Sequence, residues 1–168
     1  MRTGFTNSGR FALMTLLLIA LATTALATTA RADDTGRAVY HVDFADTGRY
    51  SLTLTSVNNM IDAWDQELRP HDISIVFVGQ GLRFVTDDPL HDTPFAADDD
   101  LEAQRAELKG RLSSLHDVRG VKLAVCGNTL REAGLSEDEL YEGVAVVPSG
   151  VAHIADLENR GAAYLKIQ

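Results

Sequence analysis

Cys126 is the only cysteine in the chain and the residue best placed to do chemistry. It ends the apolar run Val121-Lys122-Leu123-Ala124-Val125 and is followed by Gly127-Asn128-Thr129, a turn that leads towards a short helix. A thiol at the end of a strand, facing the start of a helix, feels the partial positive charge of unpaired N–H groups. That field favours the thiolate, the form that attacks sulfur and other soft electrophiles. Gly127, Asn128 and Thr129 are therefore candidate anion-binding positions, as are Ser149 and Gly150, which follow another apolar run and open another helix. The alternative for Cys126 is a small buried hydrophobe that packs and does nothing else.

Other patterns carry less. Gly79-Gln80-Gly81 follows a strand but lacks the third glycine of the dinucleotide fingerprint, so it reads as a strand-exit turn, and no phosphate-loop lysine signature is present. A nucleotide- or flavin-dependent enzyme rests on fold analogy alone, which is poor warrant for chemistry, and no cofactor is expected. The histidines, His41, His71, His91, His116 and His153, form no metal-type pair at helical spacing. The run from Asp87 to Asp92 reads as a solvated acidic loop, and no metal is expected. His41 falls inside a strand and reads as a packed or hydrogen-bonded residue. His153, near the start of the last helix, is the one histidine with a chance of approaching the strand ends and pairing with Cys126. No Gly-x-Ser-x-Gly elbow occurs, which argues against that class of serine hydrolase.

The elements that must position Cys126 are legible in the apolar periodicity. Ala38–Phe44, Ile73–Val78, Val121–Cys126 and Val144–Val147 read as buried strands, with Ala163–Ile167 as a fifth. Val57, Met60, Ile61, Trp64 and Leu68 mark one stripe of a helix over about Tyr50–Leu68. Leu101, Leu108, Leu112 and Leu115 mark a second, with Asp98, Asp99 and Asp100 at its dipole-favoured end. Ser136 and Glu139 have capping-box spacing for a short helix, and Val151–Arg160 reads as the last helix, ended by Gly161. The segment from Gly81 to Ala97 is long and Pro-bearing; it reads as core packing through Phe84 and Phe95, or as a lid or oligomer contact. Strands alternating with helices predict a three-layer α/β/α domain, Rossmann-like or flavodoxin-like, with a mainly parallel sheet of about five strands. In such sheets ligands gather at the carboxyl ends of the strands, where Cys126 lies.

The ends and the charge set the setting. Arg2 and Arg10, an apolar stretch from Phe11 to about Leu26, and Ala30-Arg31-Ala32 compose an export signal over residues 1–32, with the mature chain starting at Asp33. A second small-x-small site lies at Ala25-Leu26-Ala27. The apolar stretch is short for a span of about 20 residues. No later segment is apolar enough to cross a membrane, and no cysteine follows the stretch to take a lipid. Residues 33–168 have the usual size of a single domain. They keep all 24 acidic residues but only 12 of the 15 basic ones, a net charge near −12 that disfavours nucleic acid and anionic membranes. For a Gram-negative source the destination is the periplasm. A single cysteine there forms no internal disulfide, so the fold rests on its core.

These residues resemble the DsrE/DsrF-like family, which includes the YchN-like proteins and subunits of bacterial sulfur-relay complexes. The likeness covers most of the region after the signal. It is carried by Val125-Cys126-Gly127-Asn128-Thr129-Leu130, with Gly134-Leu135 eight and nine residues beyond the cysteine, and by Val146-Val147-Pro148-Ser149-Gly150 before a helix. Glu132-Ala133 stands where family members often carry two arginines. The resemblance implies a Rossmann-like domain that forms trimers or hexamers. It also implies that Cys126 accepts sulfane sulfur as a persulfide from a donor and passes it to an acceptor protein, a carrier rather than a turnover enzyme. The competing expectation is a non-enzymatic oligomeric binding or assembly module in which Cys126 is structural.

Overall fold

The computed structural model describes residues 34–168; the expected signal over 1–32 and its cleavage point lie outside them. Five strands, β1 (Gly36–Val42), β2 (His71–Phe77), β3 (Lys122–Cys126), β4 (Val144–Val147) and β5 (Ala163–Leu165), form one sheet in the order β4-β3-β2-β1-β5. Every pairing is parallel. β1 and β2 pair along their whole length, from Gly36 opposite His71 to Val42 opposite Phe77. The runs read as strands are strands, shifted by a residue or two, and the sheet is wholly parallel. β5 stops at Leu165, two residues short of the expected end.

The helices are α1 (Thr47–Gln66), α2 (Asp99–Asp117), α3 (Gly127–Ala133) and α4 (Gly150–Asn159). Asp46 caps α1 by accepting from Arg49 N–H at 2.6 Å, and Asp98 caps α2 by accepting from Leu101 N–H at 2.9 Å. The α2 stripe is buried as expected. The α1 stripe runs through Tyr50, Leu54, Val57 and Ile61, and Leu68 is no part of it. The helix ends before Leu68, which takes a positive φ of 54° and stands 91% exposed. The capping box at Ser136 and Glu139 is present, but it closes a single 3₁₀ turn, Glu137–Glu139, instead of a helix.

Three consecutive strands step outwards from β1, and right-handed crossovers put α1, α2 and α3 on one face. There the main core gathers Tyr50, Leu54, Ile61, Phe77, Leu101, Leu112, Val125 and their neighbours. The connection from β4 then returns across the whole sheet to β5, beyond β1. It therefore carries α4 over the opposite face, where Val39, Val76 and Ala124 pack on Ile154. The architecture is three-layered, and its second outer layer is this one helix of ten residues.

The segment after β2 packs into the core through Leu82, Phe84, Val85, Leu90 and Phe95. Gly79–Phe84 is a 3₁₀ helix in which Gly81 N–H donates to Val78 O at 3.0 Å. A Cβ on Gly81 would lie 2.1 Å from Val42 O, so the glycine serves a close backbone approach. Phe84 stacks on Tyr50 with centroids 4.0 Å apart, and Phe95 is buried, so neither aromatic awaits a neighbour. In the acidic loop Asp87 pairs with Lys109 on α2, and Asp88 accepts from Leu90 N–H within the turn.

Candidate functional site

Cys126 is both the last residue of β3 and the N-cap of α3, so the turn expected after it is already helix. Strand alternation turns Leu123 and Val125 into the main core and Ala124 and Cys126 towards α4. β3 leads into α3 on one face, while its neighbour β4 leads into α4 on the other. Cys126 and Val147 are partners in register at this divergence, the switch point at which open α/β sheets bind ligands.

The start of α4 closes over the sulfur. Ser149 caps the helix by accepting from Ala152 N–H, and Gly150 follows as the first helical residue. A Cβ on Gly150 would meet Val78 Cγ2 at 2.6 Å and Cys126 Cβ at 3.1 Å; only glycine lets the backbone come so near. Gly127 is similarly confined, with Val147 O 3.0 Å from where its Cβ would be. Thr129 is buried, and its hydroxyl accepts from Gly79 N–H at 3.0 Å. Asn128 is exposed, and its side-chain oxygen accepts from Arg131.

Burial pushes the Cys126 thiol up, since the sulfur is withdrawn from water and the residue is only 5% exposed. Polar hydrogens facing the sulfur outweigh that cost, although no side-chain bond of Cys126 caps α3. Gly150 N–H contributes most, then Thr129 N–H and hydroxyl, then Asn128 N–H, and together they hold the thiol below its ordinary value. The donors come from the starts of two helices on opposite faces of the sheet. Gly127, Asn128, Thr129 and Gly150 thus adjoin Cys126 as a group, while Ser149 acts one residue further out as the cap of α4.

No histidine takes part in setting the Cys126 thiol. His153 lies on α4 along the neighbouring groove that ends at Val147, where burial lowers its pKa. His41 packs edge-on to Tyr164, with Nδ1 2.9 Å from the tyrosine oxygen. His116 Nδ1 lies 2.9 Å from Val121 O, a pure acceptor, so that nitrogen carries the proton. Among the described residues no three His, Cys, Asp or Glu side chains converge as a metal site, and no helix is long and apolar enough to cross a membrane.

The glycine eight residues after Cys126 also finds its reason. Gly134 ends α3 in the left-handed region at φ 73°, and Leu135 N–H donates back to Leu130 O at 3.2 Å. The spacing from cysteine to glycine is thus the length of α3. The DsrE/DsrF-like family model matches residues 12–167, nearly the whole chain. The chain belongs to the DsrE/DsrF-like family. Among solved structures it is similar to MTH1491, a protein of unknown function from Methanobacterium thermoautotrophicum, at 31% identity and a TM-score of 0.61. That likeness covers 78% of this chain and 98% of the other. The ychN protein from E. coli matches at 17% identity and a TM-score of 0.51, over 79% of this chain and 99% of the other, a likeness of fold. Among curated proteins none matches. DsrE-like proteins are associated with sulfur relay, and this member keeps a cysteine at the sheet's ligand-receiving end.

The sequence did not single out Arg131. The Glu132-Ala133 pair suggested lost positive charge beside the cysteine, but Arg131, one residue earlier, bonds Asn128 on the first turn of α3. Its i, i+3 spacing from Asn128 was the available signal.

Proposed function

We propose that this DsrE-like protein carries sulfane sulfur on Cys126. The observation that supports the reading best is the set of donors aimed at one sulfur from two helix starts, which favours the thiolate even though the residue is buried. The Cys126 thiolate attacks the outer sulfur of a persulfide R–S–SH. The new S–S bond forms as the R–S bond to that sulfur breaks, R–S⁻ leaves, and Cys126–S–SH remains. No outside oxidant is required, because the sulfane sulfur moves at its own oxidation level. Delivery to an acceptor thiolate is the same displacement in reverse. Gly127, Asn128, Thr129 and Gly150 position and stabilise the anionic sulfur, and Ser149 fixes the helix start that supplies Gly150.

The export signal over 1–32 supports a periplasmic site of action, and the resemblance to oligomeric relay proteins supports a trimer or hexamer with donor and acceptor proteins as partners. Intact-mass analysis after incubation with a sulfane donor tests the reading. Added sulfur is expected on the wild type and none on Cys126→Ser, whereas equal labelling of both would overturn it.

The near-complete burial of Cys126 favours a second reading, a binding or assembly module in which the thiol is packing. That reading predicts that native Cys126 resists thiol reagents and reacts only after unfolding.

A further inference from the structure

Among the described residues α4 is the only helix on its face, and a groove of about 470 Å³ lies beside it, over β3 and β4. The volume falls within the roughly 300–1,000 Å³ typical of small-molecule sites. Its floor is made of small residues, Ala124 and Ala145, which are partners in register. One end reaches Val147, the register partner of Cys126; the other ends at Asp72 and Lys122, joined by an ion pair of 2.7 Å. His153 and Arg160 line it from α4. Ser74 is 3% exposed and lines the groove, where its hydroxyl offers a ligand one donor and an acceptor.

We infer that this groove binds the carrier half of the sulfur donor, a low-molecular-weight peptidic thiol presented as its persulfide. The inference rests on Cys126 as the acceptor. Charges of both signs line the groove, at Asp72 on one hand and at Lys122 and Arg160 on the other, which suits a zwitterion better than a bare anion. The volume exceeds what thiosulfate or a short polysulfide fills. A thiol bound along the Ala124–Ala145 floor directs its sulfur towards the Val147 end, where Cys126 removes the outer sulfur and the carrier leaves as its thiolate.

Reduced glutathione is the probe for binding, titrated by calorimetry into Cys126→Ser so that no disulfide exchange intervenes. Saturable binding is expected, weakened about tenfold by Arg160→Gln and abolished by Ala145→Trp, which fills the floor from an exposed edge position; Ala145→Leu with intermediate loss guards against misfolding. With Cys126 present, the groove variants load poorly from glutathione persulfide but normally from inorganic polysulfide. Absence of glutathione binding, or binding indifferent to both groove substitutions, would overturn the inference while leaving the sulfur reading intact. Undiminished glutathione binding with no loading from either donor would instead overturn the carrier reading, and the donor role with it.

Discussion

The hydroxyl of Thr129 accepts from Gly79 N–H at 3.0 Å, and the same hydroxyl helps to acidify the neighbouring thiol of Cys126. One oxygen thus ties the exit of β2 to the nucleophile at the end of β3. Accepting from an N–H leaves the hydroxyl's one proton free to bond the sulfur. The bond is charge-assisted once the thiolate forms, which makes it stronger than a neutral one.

Thr129→Val keeps the shape and removes that donor. The titration midpoint of Cys126 alkylation moves up, and alkylation at neutral pH slows about threefold to tenfold. Gly79 N–H also loses its acceptor, so stability falls by roughly 1–2 kcal/mol. An unshifted pH–rate profile would remove Thr129 from the site.

Gly150→Ala forces a methyl against Val78 Cγ2 and Cys126 Cβ. Overpacking of this kind costs about 1–3 kcal/mol, and it pushes the largest of the donors away from the sulfur. Adding Val78→Ala should restore the melting temperature without restoring fast alkylation. Full recovery of both by the second substitution would show that Gly150 acts through space alone.

The depressed Cys126 thiol makes stability depend on pH with a defined sign. The folded state holds its proton less tightly than the unfolded chain, so the contribution is fully present above the unfolded value of about 8.5. It disappears as pH falls through the lower folded value. Urea titrations of wild type and Cys126→Ala should therefore diverge at alkaline pH and run parallel under acid conditions. The opposite slope would mean that burial prevails over the hydrogen bonds.

His41 and His153 are both held below the ordinary histidine value by burial. Each favours the neutral ring in the folded state, so stability present above about pH 6.5 is lost as pH falls through the lower folded values. His153→Asn should flatten part of that acid limb in thermal melts across pH 5 to 7. An identical pH profile for wild type and variant would count against it.

Gly81→Ala tests the close approach of the 3₁₀ helix to the end of β1. A Cβ 2.1 Å from Val42 O has no room, and a loss of about 3 kcal/mol or more is expected, read as a collapsed urea midpoint.

Much of this was readable because strands buried on both faces are continuously apolar, which placed β1 to β3 and put Cys126 at a carboxyl end; β4 was found by its apolar run, but it is an edge strand with no buried residue. The capping aspartates and the leucine stripe likewise fixed α2. What stayed hidden depended on contacts between distant segments. Nothing local to Pro148-Ser149-Gly150 reveals that β5 lies beyond β1, yet that return sends α4 across the far face and brings Gly150 to the sulfur. Gly81 looked like a turn glycine because its neighbour, Val42 O, is far away in sequence. Leu68 fitted the helical period only because the chain turns away at the next step.

One helix both shields the sulfur and supplies its strongest acidifying contact. Access through α4 and ionisation are therefore opposed, and a reaction partner has to reach the sulfur with the first turn of that helix in place. A stray oxidant that waits for the turn to fray meets the slower, protonated form.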